Sequence, residues 1–133
     1  MNPYHSTNRS KHYLKCHMIF VCKYRKRLLV DEVKDRIKEK ILEVSERSDF
    51  SIEVMESDID HIHMLIRYRP RIAVSSIARR LKQETAVDVW RHHSELLSRH
   101  FWRERTFWSD GYFVCSIGEA SPSTIRDYIL SQG

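Results

Sequence analysis

Cysteine is scarce and is not used in pairs: Cys16, Cys22 and Cys115 are odd in number and contain no Cys-x-x-Cys spacing, which excludes a zinc-ribbon type of site and a complete disulfide framework. Each lies in an apolar run where a small hydrophobe serves, so all three read as structural. No window approaches the roughly eighteen consecutive apolar residues that a membrane span requires. The N-terminus (MNPYHSTNRSKHY) also lacks the apolar core of a secretory signal. A cytoplasmic protein without membrane association is therefore expected. There is no internal repeat and no low-complexity tract, which removes repeat arrays from consideration.

What is present is a chain of 133 residues, long enough for one compact domain with a core and too short for two ordinary ones. Residues 1–133 are read as a single domain. Lys and Arg number 23 against 18 Asp and Glu, a net charge of +5. A basic surface of this kind favours polyanionic partners, nucleic acid foremost.

Residues 1–11 are polar and read as a loose arm. Residues 16–22 (CHMIFVC) are almost wholly apolar, which predicts a central strand buried on both faces, and Lys23, Arg25, Lys26 and Arg27 mark its exit. Between residues 31 and 47 the apolar positions Val33, Ile37, Ile41 and Val44 recur at helical spacing. Residues 50–56 alternate, with Phe50, Ile52, Val54 and Met55 as the inward candidates. The segment 61–68 (HIHMLIRY) reads as another strand, ended by Pro70. A second helix is expected to be capped by Ser75 or Ser76 and to turn Ile77, Leu81 and Val89 inward. Residues 92–106 fit neither template. Asp110-Gly111 marks a turn before a strand over residues 112–117. Ser121-Pro122 then starts a helix running to Gln132. The order β-α-β-β-α-β plus a C-terminal helix predicts an α+β, ferredoxin-like fold: an antiparallel sheet with helices on one face. That architecture alone decides nothing about function.

In a strand, the period of two puts His61 and His63 on one face and sends Ile62 to the other. Two imidazoles so placed suit several divalent metals, although solvent-facing or hydrogen-bonded histidines have the same spacing. In the last helix Tyr128 and Gln132 are four apart and share a face. A phenol and an amide oxygen can thus approach one point, although a tyrosine packed beside Ile125 and Ile129 would look identical. Between Phe101 and Tyr112 aromatic and basic residues interleave: Trp102, Arg103, Arg105, Phe107 and Trp108. Stacking on unpaired bases and a buried core are both compatible with that mixture. Lys23 and Arg25, together with Arg79, Arg80 and Lys82 on the second helix, are further candidate phosphate contacts, as they would also be on a solvated face.

Three blocks, DHIHMLI at 60–66, GYFV at 111–114 and IRDYILSQ at 125–132, resemble the signature segments of the single-tyrosine HUH transposases of bacterial and archaeal insertion sequences. The opening FVCKYR at 20–25 resembles that family's first block, and the likeness runs along nearly the whole chain in the same order. The resemblance implies that His61 and His63 bind Mg²⁺ or Mn²⁺ with Gln132 as third ligand, and that Tyr128 is the nucleophile. It implies cleavage and rejoining of single-stranded DNA with hairpin ends through a 5′-phosphotyrosine intermediate. It further implies a homodimer in which the tyrosine helix of one subunit is able to complete its partner's site, swinging at residues 118–120. The sequence stops one residue after Gln132, so a tail steadying this helix is expected to be short or absent. A related nuclease or domesticated hairpin binder that does not transpose, and a non-catalytic ferredoxin-like binding module, are the competing readings.

Overall fold

In the computed structural model, residues 13–116 and 121–132 are described. The polar arm at 1–11 and the joint at 118–120 lie outside them. The elements are β1 (Leu14–Val21), a 3-10 turn (Lys23–Arg25), α1 (Asp31–Glu46), β2 (Phe50–Ser57), β3 (His61–Tyr68), α2 (Val74–His100), β4 (Phe113–Ser116) and α3 (Pro122–Ser131). The strands form one sheet in the order β2-β3-β1-β4, and every neighbouring pair is antiparallel. This is the split β-α-β-β-α-β arrangement that the sequence predicts.

One face of the sheet is covered by helices. Cys16, Met18 and Phe20 of β1 and Ile62, Met64 and Ile66 of β3 join Ile37, Ile41, Leu81 and Val89 in a single core. The other face of β1 is also closed: Ile19 is 0% and Val21 2% exposed, as expected of a central strand. Burial raises the Cys16 thiol to about 11 and the Cys22 thiol to about 12. Neither forms a thiolate near neutral pH, which fits a packing role.

Three local expectations are corrected. In β2 the register shifts between Ile52 and Val54, and this bulge moves the alternation by one residue. Met55 therefore packs against the core while Val54 is 46% exposed. Neither Ser75 nor Ser76 caps α2: the Ile77 N–H already bonds the Ala73 carbonyl, so Ala73 is the cap and both serines fall inside the first turn. Beyond residue 92 the ambiguous stretch continues α2 through a kink at His93 (φ −134°, ψ 36°) as far as His100.

The aromatic stretch divides. Phe107 and Trp108 are core, with the Trp108 Nε1–H donating to Thr85 Oγ1 at 2.9 Å, whereas Trp102 is 75% exposed.

The two core-covering helices are joined by Arg36 of α1, whose Nε and Nη2 donate to Asp88 of α2 at 2.6 and 3.2 Å. Burial pushes the Asp88 carboxyl up, but Arg36 outweighs it and the net shift is downward. A depressed folded-state value means that this stabilisation is complete above the ordinary carboxylate range and is lost as pH falls through the folded value. Replacing Arg36 by Met leaves a buried carboxylate without its bidentate partner. It is expected to cost about 3 kcal/mol in urea unfolding at pH 7, with a smaller difference from wild type at pH 3.

Candidate active site

The face of the sheet opposite the helical layer carries the candidate chemistry. In β3, His61 stands opposite Val21, Ile62 opposite Phe20 and His63 opposite Ile19. Ile62 is 0% exposed in the helix-covered core. Both histidines consequently lie on the other face, where they are partly exposed.

Each imidazole has a partner. His61 Nδ1 is 2.9 Å from Asp60 Oδ1; a carboxylate only accepts, so a hydrogen sits on Nδ1, and in the neutral ring the lone pair is then on Nε2. Arg25 reaches the same carboxylate at 3.5 Å. It does so from a turn in which Tyr24 (φ 58°) and Arg25 (φ 53°) both take the left-handed conformation that non-glycine residues rarely adopt. His63 Nε2 is 2.8 Å from His17 Nδ1 in β1, their ring centroids 4.9 Å apart. Burial, followed by His17, lowers the His63 value, against the pull of Glu56, its neighbour across β2. The ring is accordingly neutral at pH 7, the state in which it can bind a metal. His17 was not a sequence-level candidate. Nothing in the strand pattern links it to His63, because the link is the register of two strands separated by α1 and β2.

The third group arrives on α3. Ser121 caps the helix, its Oγ accepting from the Thr124 N–H at 3.2 Å, and Pro122 opens the first turn. Ile125, Tyr128, Ile129 and Gln132 form its partly buried stripe, the positions that helical spacing puts on one side. The Tyr128 ring packs on Phe113 of β4, with centroids 5.4 Å apart. Phe113 stands opposite Ile19, and Ile19 opposite His63. Residues directly opposite in antiparallel strands share a face, so Tyr128 packs on a residue of the histidine face, in a strand whose backbone is two strand spacings (about 10 Å) from that of β3. Burial raises the Tyr128 phenol above its ordinary value. Gln132 ends the helix, its amide donating to Ser131 Oγ at 3.0 Å.

These residues fit a divalent cation in part. The pair offers two imidazoles, and among the described residues no cluster of three or more His, Cys, Asp and Glu is arranged for a metal.

The basic candidates fall into different settings. Lys82 Nζ donates to the carbonyls of Ser109 and Gly111, both at 2.7 Å, and pins the turn before β4. Arg80 bonds Glu84 at 2.9 Å and Ser48, and Lys23 sits 3.5 Å from Asp110. Arg103 covers the exposed Trp102 ring and Arg105 the Trp90 ring, at 4.4 and 4.8 Å. Arg79 and Arg105 line an open cavity of about 450 Å³ between α2 and residues 105–112. Among the described residues no helix is long and apolar enough to cross a membrane.

This fold is one that transposases use. A crystal structure described as a transposase from Deinococcus radiodurans R1 superposes with a TM-score of 0.83 at 26% identity, covering 91% of this chain and 92% of that one. A REP-associated tyrosine transposase bound to a REP hairpin shares the fold at a TM-score of 0.57 and 14% identity, over 97% of this chain and 68% of that one. Residues 10–132 match the family described as "Transposase IS200 like", and the chain belongs to that family. It is 30% identical over 118 residues to the transposase for insertion sequence element IS200 of Salmonella typhimurium (89% of this chain, 76% of the relative). To the ISDra2 transposase TnpA of Deinococcus radiodurans it is 28% identical over 119 residues (90% and 84%).

Proposed function

We propose that this transposase cleaves and rejoins single-stranded DNA at insertion-sequence ends, with Tyr128 as nucleophile and Mg²⁺ or Mn²⁺ held by His61, His63 and Gln132. The observation that carries the reading is the row Phe113-Ile19-His63 across three strands, with Tyr128 stacked on its first member. A phenol and two imidazoles are thereby directed to one sheet face.

The Tyr128 oxygen attacks a backbone phosphorus. A tyrosine–phosphorus bond forms, the bond from phosphorus to the 3′-oxygen breaks, and the phenolic proton is in balance with the one the leaving 3′-hydroxyl acquires. A bound cation would withdraw charge from the non-bridging phosphate oxygens and align them for in-line displacement. Because the imidazoles and the amide are neutral, they would leave that charge undiminished. The ester keeps the energy of the broken bond, so a DNA 3′-hydroxyl can attack the phosphotyrosine and seal a new junction without ATP. The bound hairpin of the REP-associated relative supports hairpin ends as the substrate form. Arg79 and Arg105, which line the open cavity beside α2, are candidate phosphate contacts for DNA. The reading includes a homodimer, with α3 acting in its own subunit or in its partner's.

Label position tests the chemistry. With Mn²⁺ and single-stranded DNA carrying an end hairpin, a 3′-terminal label is expected to move onto the protein while a 5′-terminal label is released on a fragment ending in a 3′-hydroxyl. Supplying a paired end should then release the protein into a joined product. A 5′ label on the protein, or no adduct with any end-derived hairpin, would refute the mechanism; adduct without joining would make the protein a nuclease.

A further inference from the structure

Resting on the metal-binding reading above, we infer that His17 and Asp60 are the orienting partners of the imidazole pair, each fixing one ring nitrogen so that His63 Nδ1 and His61 Nε2 are left for the cation. A neutral imidazole has one N–H and one lone pair, and which nitrogen bears which is set by the bond the other makes. Partners that fix this choice are a regular feature around metal-bound histidines. For His61 the choice is forced by Asp60 Oδ1 at 2.9 Å. Asp60 is itself held from two sides: its backbone carbonyl accepts from the Cys22 N–H at 2.9 Å, and its carboxylate faces Arg25 at 3.5 Å.

For His63 the bond to His17 at 2.8 Å contains one hydrogen. Were it on His17 Nδ1, His63 would have to carry its own hydrogen on Nδ1 and could not bind a cation. Placed on His63 Nε2, it leaves the His63 Nδ1 lone pair available and makes His17 the acceptor. His17 stands in β1 between Leu65 of β3 and Cys115 of β4, one diagonal step from His63 on the same face. It is not a third ligand in this arrangement, in keeping with the lack of a three-membered His, Cys, Asp and Glu cluster among the described residues. The unusual turn at Tyr24 and Arg25 gains a purpose as well: it delivers the guanidinium that steadies Asp60.

The test is Mn²⁺ affinity by calorimetry without DNA, together with the tautomer of each ring from long-range ¹H–¹⁵N correlation spectra of the metal-free wild-type protein. His63 should carry its hydrogen on Nε2 and His61 on Nδ1. His17→Ala should weaken Mn²⁺ roughly 10- to 100-fold, and His17→Gln, whose amide oxygen can still accept from His63, should recover most of the loss. Asp60→Ala and Asp60→Asn should behave in the same way. A wild-type His63 with its hydrogen on Nδ1 would overturn the inference, and that measurement does not depend on any variant folding. So would Mn²⁺ binding that needs His61 and yet is unchanged in His17→Ala, in which case the metal site itself would stand. A wild-type protein that binds no Mn²⁺ would overturn the metal reading and this inference together.

Discussion

Tyr128→Phe is expected to eliminate the covalent protein–DNA adduct and to reduce strand cleavage by about 10³-fold or more, the scale seen when a covalent nucleophile is removed. The variant should remain folded, because phenylalanine keeps the ring that packs on Phe113 and loses one hydroxyl from a half-exposed position, a change worth within about 0.5 kcal/mol. Hairpin DNA should bind as before. Since burial raises the Tyr128 phenol above its usual value near 10, its hydroxyl is overwhelmingly protonated at pH 7. Single-turnover cleavage by the wild type is therefore expected to accelerate from pH 7 to pH 9. A Phe variant that still forms the adduct would remove Tyr128 from the mechanism and shift attention to another hydroxyl.

The second large effect belongs to the imidazole pair. His61→Ala or His63→Ala should lower Mn²⁺-dependent cleavage by about 10³-fold, equivalent to the several kcal/mol a cation supplies at a phosphoryl group. EDTA applied to the wild type should have the same consequence. Neither side chain is in the core, so thermal unfolding and gel-shift affinity for hairpin DNA measured in EDTA should stay close to wild type. Cleavage that survives either change would show that the histidines are structural and that the phosphate is neutralised by other groups.

The basic residues separate along similar lines. From sequence, Arg25, Arg80 and Lys82 stand beside Arg79 and Arg105 as equivalent candidates for phosphate. In three dimensions Lys82 is spent on two carbonyls, Arg80 on Glu84 and Ser48, and Arg25 on Asp60. A positive charge identifies a residue able to contact phosphate, but whether its hydrogens are already used depends on residues far away in the chain. The same holds for the aromatic cluster: Trp102 and Trp108 are alike in local sequence, yet one is exposed and the other sits against Thr85 in the core.

What the amino-acid order determined by itself was governed by short periods within single regular elements. Alternation in β3 separated Ile62 from the two histidines, helical spacing aligned Tyr128 with Gln132, Ser121-Pro122 began the last helix, and a run of apolar residues made β1 central. Such patterns survive translation from sequence because they depend on backbone geometry within one element. Tertiary structure alone decided the bulge that turns Met55 inward in place of Val54, the reach of α2 through His93, the engagement of His17 with His63 across 46 positions of sequence, and the line from His63 through Ile19 to Phe113, on which Tyr128 packs. Those depend on strand register and on which elements become neighbours, quantities set by the packing of the whole core, and a local run of residues carries no record of them.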